Sequence, residues 1–265
     1  MGQADAYTWG LDLDGVIWSG TEPIAGSAEA VADLRGAGHD VVFVTNNSFS
    51  TIAQQESKLG SFGIDASGSV ITSAQAAASL VEPGERALVL GGPGVIEALT
   101  AREVDLVAPA EVAAGAQAVE AERIDAVVVG LDWELDYHRL AAAVQAILAG
   151  GRFIATNTDA TYPSERGLLP GAGAIVAAVA AATGTAPIVA GKPEQPCADL
   201  VRARYGTVGV MVGDRPETDG AFAVALGYDF GLVLSGVTTD PVGVEPKPAV
   251  VAADLATLVA ARLGG

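Results

Sequence analysis

Short, continuously apolar runs alternate along the chain with longer stretches whose apolar residues recur at helical spacing. YTWGLDLD (7–14), DVVFVT (40–45), ALVLGG (87–92), DLVAPA (105–110), DAVVVGL (125–131), RFIATN (152–157), GTVGVMVGD (206–214) and DFGLVLSG (229–236) predict strands. SAEAVADLRGAG (27–38), TIAQQESKLGSFG (51–63), SAQAAASLV (73–81) and HRLAAAVQAILAGG (138–151) predict helices, and a further helix is expected between the last two strands. Ser27 is a candidate N-cap for the first helix, and paired glycines close the fourth. PIVAGKP (187–193) reads as one more strand, with Lys192 at its end. Strands without polar alternation, separated by helices, imply a parallel sheet covered on both faces.

In such sheets functional groups gather beyond the carboxyl ends of the strands. Asp12 and Asp14 stand at the end of the first strand, and Thr45, Asn46, Asn47 and Ser48 at the end of the second. Gly213 and Asp214 end a later one. Strands between 87 and 157 end in less charged residues, which points to an inserted second domain. The division expected is a core of 1–82 and 188–265 around an insert of 83–187. EPGE (82–85) and TGTAP (183–187) are the turn-rich crossings.

Composition narrows the classes. Half of the 265 residues are hydrophobic and only 17% are charged, so the chain buries a core and is not disordered. Acidic residues outnumber basic ones, 32 to 14, for a net charge of −18. That field repels nucleic acid and anionic membranes, and neither is an expected partner. It also repels anionic substrates, so a site for one needs local positive charge or a metal. The single cysteine, Cys197, allows no internal disulfide and has no activating neighbour in sequence. MGQADAYTWG shows no leader pattern, and the apolar run 171–182 is shorter than the ~18 residues a bilayer span needs. A cytoplasmic protein is the expectation.

Asp12, Thr45, Lys192 and Asp214 would converge on one rim of such a sheet. Carboxylates that close repel one another unless a cation lies between them. Oxygen ligands without a histidine cluster favour Mg²⁺, and His39 and His138 lie in unrelated places. A lysine and a hydroxyl beside such a site make a receptor for a phosphoryl group, and the backbone of TNNS (45–48) could face the same anion. A carboxylate against phosphorus can act as a nucleophile, and a second carboxyl can protonate the leaving oxygen and then activate water. Each motif also has a plain structural reading. Asp14-Gly15 is a common turn pair, Asp214 could cap a helix, and Trp18 could be a packed aromatic or a pocket wall. GGPG (91–94) lacks dinucleotide-binding spacing, and Pro93 removes an N–H, so it reads as a turn.

DLDGVIW (12–18), VVFVTNNS (41–48), GKP (191–193) and VGDRPETD (212–219) resemble, in order, the four motifs of haloacid-dehalogenase-superfamily phosphatases. VVVGLD (127–132) and ATNTDATYPSERGLLPGAGA (155–174) resemble the C2-type cap of subfamily IIA. That branch includes the NagD-type nucleotide, 4-nitrophenyl, phosphoglycolate, pyridoxal and glycerol-3-phosphate phosphatases. The resemblance implies an α/β fold, a Rossmann-like parallel-sheet core with an inserted α/β cap. It implies Mg²⁺-dependent hydrolysis of a small phosphomonoester through an aspartyl phosphate. A sugar phosphate or glycerol 3-phosphate is the expected substrate, with a nucleotide, pyridoxal phosphate or transfer to a second alcohol as alternatives. Asp12 would be nucleophile and metal ligand. Asp14 would be general acid/base and, through its carbonyl, a ligand. Thr45, Asn46 and Lys192 would hold the phosphoryl group. Asp214 would complete the metal site, with Asp219 behind it. Asn157, Asp159 and Arg166 would reach the substrate from the cap, and caps would pair in a homodimer. Pro216 and Gly220 depart from the usual pattern after Asp214, which bears on the loop there.

Overall fold

The computed structural model describes residues 7–107, 123–164 and 167–264. The chain forms two compact units. One gathers the chain up to Thr45, Ala53–Ile71 and the chain from Lys192 onward; the other takes Asn46–Ile52 and Thr72–Gly191.

The first unit is built on a six-stranded sheet. Its order is Val250–Ala252, Asp229–Val233, Gly209–Gly213, Thr8–Leu11, Asp40–Thr45 and Val70–Thr72. Thr8–Leu11 is central and parallel to both neighbours, with Thr8 opposite Gly209 on one side and Asp40 on the other. All four of its residues are buried, as a strand covered on both faces requires. The next strand in sequence lies to one side and Gly209–Gly213 to the other, so the strand order reverses here. A crevice therefore opens at the carboxyl end of Thr8–Leu11.

That strand is shorter than the predicted 7–14, for a local reason. Asp12 N–H still donates to Val212 O at 2.9 Å, but the chain then coils on itself. The N–H groups of Val16, Ile17 and Trp18 all turn to Leu13 O, at 3.3, 2.9 and 3.1 Å. Gly15 sits at φ +80°, which a side chain would resist. The following helix, Ser27–Gly36, is preceded by Gly26 rather than capped by Ser27. The Ser27 hydroxyl instead donates to Val16 O at 3.1 Å and ties the helix start to the coil.

The second unit has its own parallel sheet, ordered Ile188–Val189, Arg152–Ala155, Ala126–Val129, Arg86–Leu90 and Asp105–Val107. Helices Tyr137–Leu148 and Ala172–Thr183 bury Ala142, Ile147, Ile175 and Val179 in a core with Leu90, Val127 and Phe153. An antiparallel hairpin pairs Thr161–Ser164 with Gly167–Pro170. The GGPG turn opens helix Pro93–Thr100, and Gly94 N–H donates to Phe49 O at 2.8 Å. Its role here is a helix start and a close backbone approach. Ile188–Val189, expected to lead into the site from the core sheet, pairs with Arg152–Ala155 in this second sheet. Two residues, Ala190 and Gly191, separate it from Lys192. Among the described residues no helix is long and apolar enough to cross a membrane.

Candidate active site

The crevice of the first unit collects the charged residues. Asp12 follows Thr8–Leu11 directly and Asp214 follows Gly209–Gly213, so two adjacent parallel strands deliver two carboxylates to one rim. Thr45, the last residue of the neighbouring strand, is buried there. Lys192 places Nζ 2.7 Å from Asp12 Oδ1 and 2.8 Å from Asp219 Oδ1. Its side chain is only 2% exposed, against 13% for Asp12 and 1% for Asp219. Burial works against the ammonium, but the two carboxylates outweigh it and hold Lys192 protonated. Removing one member of a buried ion pair costs about 3–5 kcal/mol, because the partner charge is left uncompensated.

One ammonium does not balance the carboxylates. Oxygens of Asp12, Asp214 and Asp219 lie within 4.8 Å of one another. Burial pushes the Asp12 carboxyl well up, Lys192 opposes, and the charges of Asp219 and Asp214 add to the rise. Asp214 is pushed up to about 6 by burial, with the Val237 N–H opposing and Asp219 adding. Asp214 Oδ2 accepts from Val237 N–H at 2.6 Å, while its buried Oδ1 has no hydrogen-bond partner. Three carboxylates this close, one of them with a buried oxygen that has no partner, make the donor set of a hard cation such as Mg²⁺. The residues present therefore fit a divalent ion.

Close backbone packing fixes Asp214. A Cβ on Gly15 would stand 2.5 Å from Asp214 Cγ, and one on Gly236 2.0 Å from its Oδ2. The Ser235 hydroxyl donates to Gly15 O at 2.7 Å, joining the two loops that hold the carboxylate. The residues unusual for the family motif have a local explanation. Pro216–Gly220 forms a single wide π-turn in which the N–H groups of Asp219 and Gly220 both point to Arg215 O. A Cβ on Gly220 would press on Phe230 and Pro246 at 3.0 Å. The turn buries Asp219, whose Oδ2 accepts from Arg215 N–H at 3.2 Å. Asp219 thus reaches Lys192 directly.

Asp14 has a partner of its own. Its Oδ1 accepts from Trp18 Nε1 at 2.8 Å. Asp14 keeps an exposed surface, but the protein crowded around its carboxyl raises it, while the Trp18 bond and the cations Lys58, Lys192 and Arg215 pull it back. Burial pushes the Cys197 thiol up to about 12, which keeps it unreactive at neutral pH.

Other predicted site residues cluster within the second unit. Asn46 Nδ2 donates to the Asp159 carboxylate at 3.2 and 3.4 Å. Asn157 Nδ2 donates to Asn46 O at 2.8 Å, its Oδ1 accepts from Asp159 N–H at 3.1 Å, and Ser73 Oγ donates to the same Asn46 carbonyl at 2.7 Å. Asn157 thus braces the backbone that follows Thr45. Arg166 lies outside the described residues. Lys58, Ser235, Gly236 and Val237 were not foreseen, and nothing in their sequence neighbourhoods marks them.

A haloacid dehalogenase-like hydrolase model matches residues 9–105, and a second, HAD-hydrolase-like, matches 189–258. An acid sugar phosphatase of Staphylococcus aureus is 38% identical over 247 residues, 90% of each chain. A glycerol phosphate phosphatase from Mycobacterium tuberculosis, crystallised with magnesium, superimposes with a TM-score of 0.85 at 35% identity, covering 96% of this chain and 76% of that one. A p-nitrophenyl phosphatase from Archaeoglobus fulgidus gives 0.86 at 30% identity, covering 97% and 99%. The chain belongs to the haloacid dehalogenase-like hydrolases. Within them it is a phosphatase.

Proposed function

We propose that the chain is a Mg²⁺-dependent phosphomonoesterase that uses Asp12 as nucleophile and takes a small sugar phosphate or glycerol 3-phosphate. The observation that carries this reading is the carboxylate cluster of Asp12, Asp214 and Asp219 closed by a single buried ammonium, Lys192. Asp12, Asp214 and the Asp14 carbonyl would hold Mg²⁺, whose charge would offset that of the phosphoryl oxygens. Lys192 and Thr45 would orient the phosphoryl group. An Asp12 oxygen attacks phosphorus, the bond to the substrate oxygen breaks, and the Asp14 carboxyl gives its proton to the departing alkoxide. The Asp14 carboxylate then takes a proton from water as that water attacks phosphorus. Inorganic phosphate leaves and the Asp12 carboxylate is restored. Asn46 would join Thr45 and Lys192 at the phosphoryl group, and the insert expected at 83–187 would act as the cap, with Asn157 and Asp159 as its substrate-facing residues. The acid sugar and glycerol phosphate phosphatases among the relatives support the substrate class.

A phosphate-release screen over about 50 phosphorylated metabolites, run with Mg²⁺ and with EDTA, tests this. Release from sugar or polyol phosphates that EDTA abolishes is expected. Release unaffected by EDTA, or confined to nucleotides, would contradict it.

A further inference from the structure

Trp18 is almost fully buried, at 3% exposed, yet its indole N–H is aimed at a carboxylate rather than left among apolar neighbours. Two features hold it there. The coil on Leu13 O fixes its backbone, and Gly15 N–H donates to Trp18 O at 2.7 Å, so Asp14 and Trp18 are locked face to face four residues apart. The ring has two further neighbours. Phe62 packs at 5.9 Å between centroids, and Lys58 Nζ lies 3.8 Å above the indole. Lys58 is carried in the last turn of helix Ile52–Ser61 and also donates to Gly20 O at 3.3 Å. A cation over an indole is attracted to its face and draws electron density from the ring, which makes the N–H a stronger donor.

From this arrangement we propose that Trp18, backed by Lys58, is a positioning residue for the proton-transfer step. Its N–H engages Asp14 Oδ1, fixing the orientation of the carboxyl and leaving Oδ2 to carry the proton to the leaving oxygen. Without that bond Asp14 can rotate about its side-chain torsions, and acid catalysis depends on reach before it depends on acidity. The inference rests on the reading of Asp14 as general acid, and its test separates the two.

The test compares phenyl phosphate with 4-nitrophenyl phosphate. Phenoxide is the poorer leaving group and needs its proton more; the two esters are otherwise alike. Trp18→Phe keeps an aromatic ring beside Phe62 and Lys58 and removes the donor, together with the volume of the second ring, whose loss acts on both esters alike. Its kcat/KM is expected to fall about tenfold on phenyl phosphate and by no more than about twofold on 4-nitrophenyl phosphate, a fraction of the ~10²–10⁴ available to acid–base catalysis. Lys58→Met is expected to shift the ratio in the same direction by a smaller factor, and it serves as the test if Trp18→Phe does not fold. Asp14→Asn is the reference and is expected to show the largest selective loss. An equal loss on both esters in the folded variants, or none, overturns the positioning role while leaving Asp14 in place. An Asp14→Asn protein without selectivity overturns the acid assignment itself, and the inference with it.

Discussion

Asp12, Asp214 and Asp219 set three carboxylates against one ammonium, and the imbalance has a measurable consequence at Asp214. An unfolded aspartate titrates at about 3.9, whereas folding pushes Asp214 up to about 6. For an acid raised by folding, the penalty is absent below the unfolded value, grows as pH rises between the two, and is complete above the folded one. A bound cation reverses it by favouring the charged form. Mg²⁺ at about 100 times its dissociation constant adds about 2.7 kcal/mol of stability. The rise in unfolding temperature on adding Mg²⁺ should therefore be larger at pH 7.5 than at pH 5, as calorimetry would show; equal rises at the two pH values would count against a cation at Asp214. At this scale the sequence was informative where chemistry is concentrated in short motifs. The convergence of Asp12, Lys192 and Asp214 was legible because charged residues after apolar strands are unusual. Lys58 and Val237 were not, since they meet Trp18 and Asp214 only through tertiary folding.

The coil after the first strand and the loop that contains Gly236 decide where the carboxylates stand. Gly15 is the tightest point of the coil, with a positive φ and Asp214 Cγ 2.5 Å from where a Cβ would be. Gly15→Ala should destabilise the first unit by about 1–3 kcal/mol through backbone strain alone. It should also raise the Mg²⁺ concentration for half-maximal rate at least severalfold, because Asp214 has to move. A Mg²⁺ titration of the variant checks this, and an unchanged midpoint would argue that Asp214 does not ligate. Elements were readable in proportion to their length and purity. DVVFVT became the strand Asp40–Thr45 end to end, with five of its six residues buried. Thr8–Leu11 came out short because backbone N–H groups turned to Leu13 O, which no strand pattern encodes. Ile188–Val189 is two residues long, and its side-chain pattern carries no information on which of two sheets it joins.

Across the whole molecule the net charge of −18 opposes the approach of a phosphorylated substrate. Lys192 and the proposed cation would reverse that sign locally. Raising salt from about 10 mM to about 150 mM shortens the screening length from about 30 Å to about 8 Å, which weakens the distant charges more than the contacts at the site. At saturating Mg²⁺, kcat/KM for an anionic substrate should rise about two- to threefold over that range, and a fall would mean that steering at the site dominates the global field. The parallel-sheet architecture was legible at this scale because strand–helix alternation leaves few topologies. The substrate was not, since pocket shape depends on side chains far apart in sequence.

The proposed reaction turns on one oxygen of Asp12 attacking phosphorus. Asp12→Asn preserves size and shape but replaces the nucleophilic carboxylate with an amide. Steady-state phosphate release from 4-nitrophenyl phosphate, by protein whose intact mass shows no deamidation, tests the claim most directly. A folded Asp12→Asn protein with turnover at least about 10⁴-fold below the parent is the predicted result; substantial hydrolysis by that protein would contradict the account.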